Sequence, residues 1–165
     1  MAKMTIGTGV DTYIESLEKI QYNVGSVAGR AIYQGAKIIA DQIRKNIEAL
    51  PVAGEEAVEE SVKEDKRREP TQTEKDGLLE ALGITTMRTG NGTYNVKIGM
   101  DGYNKDVTKK YPKGKPNAMV ARSIESGTSF TVRHPFIASA VREKKAEAEQ
   151  AMADEVDKQI EEIMK

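Results

Sequence analysis

VGSVAGRAIYQGAKIIADQIRKNIEALP, residues 24–51, decides the architecture. Val24, Val27, Ala31, Ile39, Ile43, Ile47 and Leu50 recur at the three- and four-residue spacing of one helix face, and a face of that kind is stable only when other elements cover it. The run predicts a helix of about seven turns. Pro51 stops it, since proline cannot continue the helical hydrogen-bond ladder. Gly25, Ala28, Gly29 and Gly35 let another backbone come close, although each Gly costs about 1 kcal/mol of helix propensity. Two readings of these small residues stay open: contact with the chain's own sheet, or contact with another subunit. Arg30 and Lys37 exclude a membrane helix pair.

Upstream, Val10, Ile14, Leu17 and Ile20 among Asp11, Glu15, Glu18 and Lys19 predict a separate short amphipathic helix. Asn23 is a candidate cap between the two helices. Downstream, GEEAVEESVKEDKRREPTQTEKDG, residues 54–77, holds both charge signs and almost no large apolar side chain. Such a segment buries little surface to offset the entropy of ordering, so residues 52–76 read as a charged, mobile insert. A short exposed helix over Glu55–Arg67 fits its composition, and an acidic partner-binding arm is the functional alternative.

Beyond the insert, GLLEALGITTM (77–87) leads into a strand and TYNVKIGM (93–100) supplies its hairpin partner, with Gly90, Asn91 and Gly92 at the turn. Gly102–Pro116 is rich in Gly, Asn, Lys and Pro and predicts a long loop. Asn117 is a candidate cap for a helix through Val120 and Ile124 that ends near Gly127, and SFTVR (129–133) is a further candidate strand. His134–Pro135 opens a last helix striped by Val141, Ala148, Met152, Val156, Ile160 and Ile163. The expected fold is α+β: a small antiparallel or mixed sheet packed against a long N-terminal helix and a C-terminal helix, in one domain spanning 1–165.

Bulk properties narrow the function. Hydrophobic residues make up 38% and aromatics 5%, with no Trp, so the core is built from Ile, Val, Leu, Ala and Met. A net charge of −1 despite 31% charged residues argues against dominance by long-range attraction to nucleic acid or anionic lipid. The charges are nonetheless segregated: Arg88–Arg122 holds eight Lys/Arg against two acids, and Gly54–Asp76 nine acids against five bases. The absence of Cys excludes disulfides and thiolate chemistry. MAKMTIGTGV lacks the apolar core of a secretory leader, and no run approaches about 18 apolar residues, so a soluble protein made inside the cell is expected, with no membrane partner.

Little in the sequence speaks for catalysis. The single His, His134, lies at a turn before Pro135 and reads as structural. Glu125 and His134, nine residues apart, lack any metal-ligand spacing, and Gly7-Thr8-Gly9 lacks the strand and the Lys-Ser/Thr of a phosphate loop. No cofactor, metal or catalytic residue is expected. Lys105, Lys109, Lys110, Lys113 and Lys115, interleaved with Tyr103 and Tyr111, form a candidate DNA- or partner-contact loop. Its bland reading is a solvated loop kept soluble by lysines.

RSIESGTS (122–129) followed by HPFI (134–137) resembles a signature of the HK97-type bacteriophage tail-component family, the tail completion or head–tail joining proteins. The matching residues are Glu125, Gly127, Thr128, Ser129, Pro135 and Phe136. An opening helix pair ending in Leu50–Pro51 and the Gly-x-Leu segment Gly77–Leu82 fit the same family, in the same order. Ile137-Ala138-Ser139-Ala140 departs from the Leu-Arg-Pro-Ala common there, and the charged insert is longer than usual. The resemblance implies a structural virion component at the head–tail junction, made in the host cytoplasm. It implies a homo-oligomeric ring, six-fold by family expectation, between the tail tube or its terminator and the head connector, with non-specific contact to DNA in the channel. An accessory protein that binds nucleic acid through residues 103–115 is the alternative, and an enzyme using His134 and Glu125 a third reading. For the signature itself an architectural role is expected, with Phe136 as a buried anchor.

Overall fold

The computed structural model describes the backbone of residues 8–165 and the side chains from residue 13. The reading of the N-terminal segment through Gly7 falls outside the described residues, while Thr8 and Gly9 begin the first helix. In chain order the elements are α1 (Thr8–Glu48), α2 (Glu55–Glu64), α3 (Gln72–Ala81), β1 (Leu82–Ile84), β2 (Arg88–Gly90), β3 (Thr93–Asn95), β4 (Ile98–Met100), α4 (Asn117–Ser126) and α5 (Phe136–Met164). The α+β class is as expected.

α1 is one helix of 41 residues where the sequence predicts two. Asn23 does not cap a break, because its amide donates to the carbonyl of Lys19 one turn back, and nothing around it removes a backbone N–H from the ladder. The helix ends before Pro51 as expected. There Lys75 donates to the otherwise free carbonyls of Glu48 (2.7 Å) and Leu50 (3.0 Å), which places a cation at the negative helix end. α5 packs antiparallel along α1. Asn46 donates to the carbonyl of Phe136 at one end, Arg30 donates to Gln159 Oε1 at the other, and between them Met152 fills the space that a side chain at Gly35 would need. Gly25 and Gly29 face Tyr94 and Met87 of the β region. Their smallness therefore serves contacts within this chain, with the sheet region at Gly25 and Gly29 and with α5 at Gly35.

The strands form one interrupted antiparallel hairpin. β2 and β3 are joined by Asn91-Gly92, both at positive φ (50° and 74°), the two-residue turn whose twist matches that of the flanking strands. Farther from the turn, Thr85 N–H donates to Lys97 O, and β1 pairs with β4 through Leu82–Met100, Gly83–Gly99 and Ile84–Ile98. Tyr33 of α1 anchors the break, its hydroxyl donating to Thr85 O and accepting from Met87 N–H. The core lies where α1, α3, β1, α4 and α5 meet: Ile43, Ile47, Leu50, Leu78, Leu82, Val120, Ile124 and Phe136 are all buried.

Two other local expectations are corrected. SFTVR forms no strand; Thr131 makes a single parallel bridge to Arg68, in which Arg68 N–H donates to Phe130 O and Val132 N–H to Arg68 O, and the ladder goes no further because the Thr128–Thr131 turn precedes it and His134 N–H donates to Ile124 O after it. Asn117 is the first residue of α4 and not its cap. Its side chain turns back to donate to Asp101 O, tying the start of the helix to the end of β4.

Within the charged insert, α2 carries the exposed part, and Asp65, at φ 52°, ends it in the left-handed conformation. The following residues enter the interior. Arg68 makes a two-pronged pair with Glu74 at 2.8 and 2.9 Å. Thr71 and Glu74 form a reciprocal capping box at the start of α3, each side chain accepting from the other residue's backbone N–H. Burial alone would raise the Glu74 carboxyl. The hydrogen bond from Arg68, the bond from Thr71 N–H and the charges of Arg68 and Lys115 outweigh it and hold the pKa at about 2. Arg68 is raised in return, chiefly by the same hydrogen bond. A depressed acid stabilises the fold above its ordinary value of 4.5 and loses that contribution as pH falls toward about 2. Glu74→Gln is expected to lower stability at pH 7 by up to about 3 kcal/mol and to flatten the loss of stability between those two pH values, as read by urea unfolding at stepped pH.

Candidate functional site

The signature residues form the corner between α4 and α5. Gly127 ends α4 at φ 72°, and a side chain there would press to 2.9 Å from Arg133 Cβ, so the position needs glycine both for its dihedral and for its space. Thr128 then closes a small turn. Its hydroxyl accepts from the N–H groups of Phe130 and Thr131, and its own N–H donates to Thr131 O. Ser129 is exposed at the tip beside Phe130, which is 60% exposed. The chain returns with His134 N–H donating to Ile124 O, and Pro135 precedes the first residue of α5.

Glu125 locks this corner. Its carboxylate accepts from Ile137 N–H (2.8 Å) and Ala138 N–H (2.9 Å), two donors left without partners by the helix ladder at the start of α5. The negative charge also sits at the positive end of the helix dipole. α5 has no cap from its own preceding residue, so a residue of α4 does that work across the corner. Phe136, 3% exposed, drops into the core directly beneath. Glu125, Gly127, Thr128, Pro135 and Phe136 are thus brought together as framework, and the Glu125 oxygens are taken up by backbone donors.

The side-chain partners of His134 and Glu125 differ: the Glu125 carboxylate accepts from Ile137 and Ala138 N–H, while His134 Nε2 lies 2.5 Å from Glu69 Oε2. That contact ties the tail of the insert to the corner, and sequence spacing could not reveal a partner 65 residues away. Among the described residues no group of three or more His, Asp or Glu stands close enough to hold a metal ion.

The lysine loop divides into a fixed base and an exposed crown. At the base, Asn104 N–H donates to Lys115 O, and Asn104 Oδ1 accepts from the N–H groups of Asp106 and Lys115. Gly114, at φ 95°, lies so close to the carbonyl of Asn104 that an added side-chain carbon would overlap it. Lys115 is not available for a partner, since its ammonium contacts Glu74 at 3.2 Å and Asp106 at 3.3 Å. Lys105, Lys109, Lys110 and Lys113 are exposed. Lys105 lies 3.7 Å from Glu80 on the surface, and Lys110 sits over the ring of Tyr111. The crown also carries exposed Tyr103 and Val107. It presents cations with apolar neighbours, an arrangement suited to an anionic surface.

Sequence reading missed one further surface. An apolar groove of about 360 Å³ lies between α1, β4 and α5, lined by Ile39, Ile43, Ile98, Met100, Val141 and Met152 among others. The pairing register makes Gly83 and Gly99 the mutually bonded residues, since Ala81 with Asp101 and Thr85 with Lys97 bond on either side of them. Ile98 and Met100 therefore direct their backbone groups to the edge away from β1. The alternation Val96, Ile98, Met100 is visible in sequence, but which strand edge stays uncovered depends on tertiary placement.

Among family models, curated proteins and solved structures, nothing matches this chain. Replacing Glu125 by Ala is expected to destabilise the fold by about 1–3 kcal/mol, the range for losing a helix cap and charge-assisted hydrogen bonds. Glu125→Gln, which keeps an acceptor, should lose less. Equilibrium urea denaturation of the two variants checks the order.

Proposed function

We propose that this chain is a non-enzymatic structural subunit of a tailed-bacteriophage virion, a head–tail joining or tail completion protein. In this reading it assembles as a ring between the tail tube or its terminator and the head connector. The observation that carries the reading is the corner from Glu125 to Phe136. Residues that resemble a tail-component signature form one continuous device, in which an α4 carboxylate caps α5 and Phe136 fixes the joint in the core. A framework role accounts for a motif of Glu, Gly, Thr, Pro and Phe whose polar atoms are engaged by backbone.

The rest of the surface fits a protein that works by contact. A ring joins unlike faces of neighbouring copies, and the segregated charges, the exposed lysine crown and the apolar groove give those faces distinct character. The crown in this reading meets an acidic subunit or the DNA path. A second reading, a nucleic-acid-binding accessory protein, draws on the same four exposed lysines with Tyr103 beside them. Salt separates the two: binding carried by the crown alone would weaken steeply as salt rises, by about one unit of logarithmic slope per phosphate contacted.

Changing Lys105, Lys109, Lys110 and Lys113 together to Ser should leave the melting transition nearly unmoved, because these side chains are exposed. It should reduce the yield of joined particles when purified heads and tails are mixed with the variant. An undiminished yield would remove the crown from the joining role.

A further inference from the structure

β4 leaves one edge of its sheet unpaired. β1 takes the other edge through Gly83 and Gly99, so the N–H and carbonyl groups of Ile98 and Met100 point away from β1, and no described residue bonds to them. This free edge borders the apolar groove, which β4 lines and β1 does not. Ile32, Ile39 and Ile43 of α1 and Val141 and Met152 of α5 line the rest of it. Unpaired backbone groups beside an apolar trough are what an added strand satisfies, with main-chain bonds to the edge and every second side chain in the groove.

The sequence holds one segment of matching pattern ahead of α1. Ala2, Met4 and Ile6 alternate with Lys3 and Thr5, the two-residue period of a strand with one apolar face. It cannot serve the groove of its own chain. Ile32, the groove residue of α1 closest to the start of the helix, lies about 36 Å along it from Thr8, whereas the chain from Ile6 to Thr8 spans at most about 7 Å.

We propose that residues 2–6 of a second copy enter the groove as a strand added to β4 and antiparallel to it. Matching the two alternations gives the register. Met4 of the partner subunit lies beside Ile98, Ala2 of the partner subunit beside Met100 and Ile6 of the partner subunit beside Val96, so three apolar side chains face the groove together with those of β4. Charge gives the direction. In the antiparallel arrangement Lys3 of the partner subunit stands opposite Gly99, and Thr5 of the partner subunit opposite Lys97. A parallel strand centred on the same residue would set Lys3 of the partner subunit directly opposite Lys97, a destabilising like-charge pair. Gly7 of the partner subunit follows at once and lets the chain turn out of the groove before the next α1 begins.

Strand and groove are different surfaces, so each copy gives one and receives one, the head-to-tail contact from which rings close. The inference does not rest on the virion reading, since it concerns the isolated chain in solution.

The chain has no cysteine, so single cysteines report the register. Lys3→Cys and Gly99→Cys are made separately in the full chain; an added side-chain carbon at Gly99 meets nothing within 4 Å. After oxidation of an equimolar mixture, intact mass should show the mixed 3–99 dimer. Its yield should exceed that of Lys3→Cys mixed with Lys97→Cys, the pair that a parallel strand would bring together. Adding Met4→Asp to the Lys3→Cys chain should cut the 3–99 dimer at least about tenfold by setting a charge against the groove, while the Gly99→Cys chain that carries the groove is unaltered. A 3–99 yield no greater than that of Lys3→Cys with Val62→Cys, on the exposed face of α2, would overturn the proposal. So would a yield that Met4→Asp leaves unchanged, or one matched by the 3–97 pair.

Discussion

The antiparallel contact of α1 with α5, from Asn46 beside Phe136 to Arg30 beside Gln159, is what the remaining elements depend on. It makes a two-helix base from segments 90 residues apart in the chain. Everything between has to leave the end of α1 and return to the start of α5. α3, the interrupted hairpin and α4 fill that span and bury Leu78, Leu82, Val120 and Ile124 against Ile43 and Ile47. The contact is close because Gly35 presents no side chain to Met152, and dispersion falls off within an ångström of added separation.

Two electrostatic locks hold the ends of this span. Lys75 neutralises the carbonyl end of α1, and Glu125 the N–H end of α5. A third, Arg68 with Glu74 and Lys115, joins the insert to α3 and to the lysine loop. It is buried deeply enough that losing one partner would strand a charge. The three lie where helices begin or end, so they act on unpaired backbone groups and on the direction of the chain as well as on net stability. The proposed joining role uses the same economy of parts. A stiff corner and a pinned loop base hold the exposed crown in a defined place, which a subunit fitted among rigid neighbours requires.

The sequence disclosed elements whose causes are local. The long helix, its stop at Pro51, the Asn91-Gly92 turn, the end of α4 at Gly127 and the start of α5 at Pro135 each follow from spacing or from a residue with a fixed backbone preference. Thr71-Gln72-Thr73-Glu74 carried a capping-box pattern, yet its charged surroundings concealed the burial of Glu74. The causes that stayed hidden are tertiary. Asn23 sits inside a continuous helix because nothing there breaks the ladder. Thr131 has one bridge partner, Arg68, and no strand because a turn closed by Thr128 precedes it and the chain bonds to the end of α4 directly after it. Lys115 looks like its four exposed companions until Glu74 and Asp106 are placed beside it. Of the signature, Phe136 as an anchor was legible from its chemistry, whereas Glu125 as the cap of a helix that starts 11 residues later was not.

Placement in an assembled particle tests the central claim most directly. Tailed particles purified from cells that make this chain can be imaged by electron cryomicroscopy, with a small fused or antibody label on the exposed α2 segment to mark the subunit. The account predicts density for the chain as a closed ring between head connector and tail tube. Particles that are complete and infectious without the chain, or that carry it anywhere other than the head–tail junction, would contradict it.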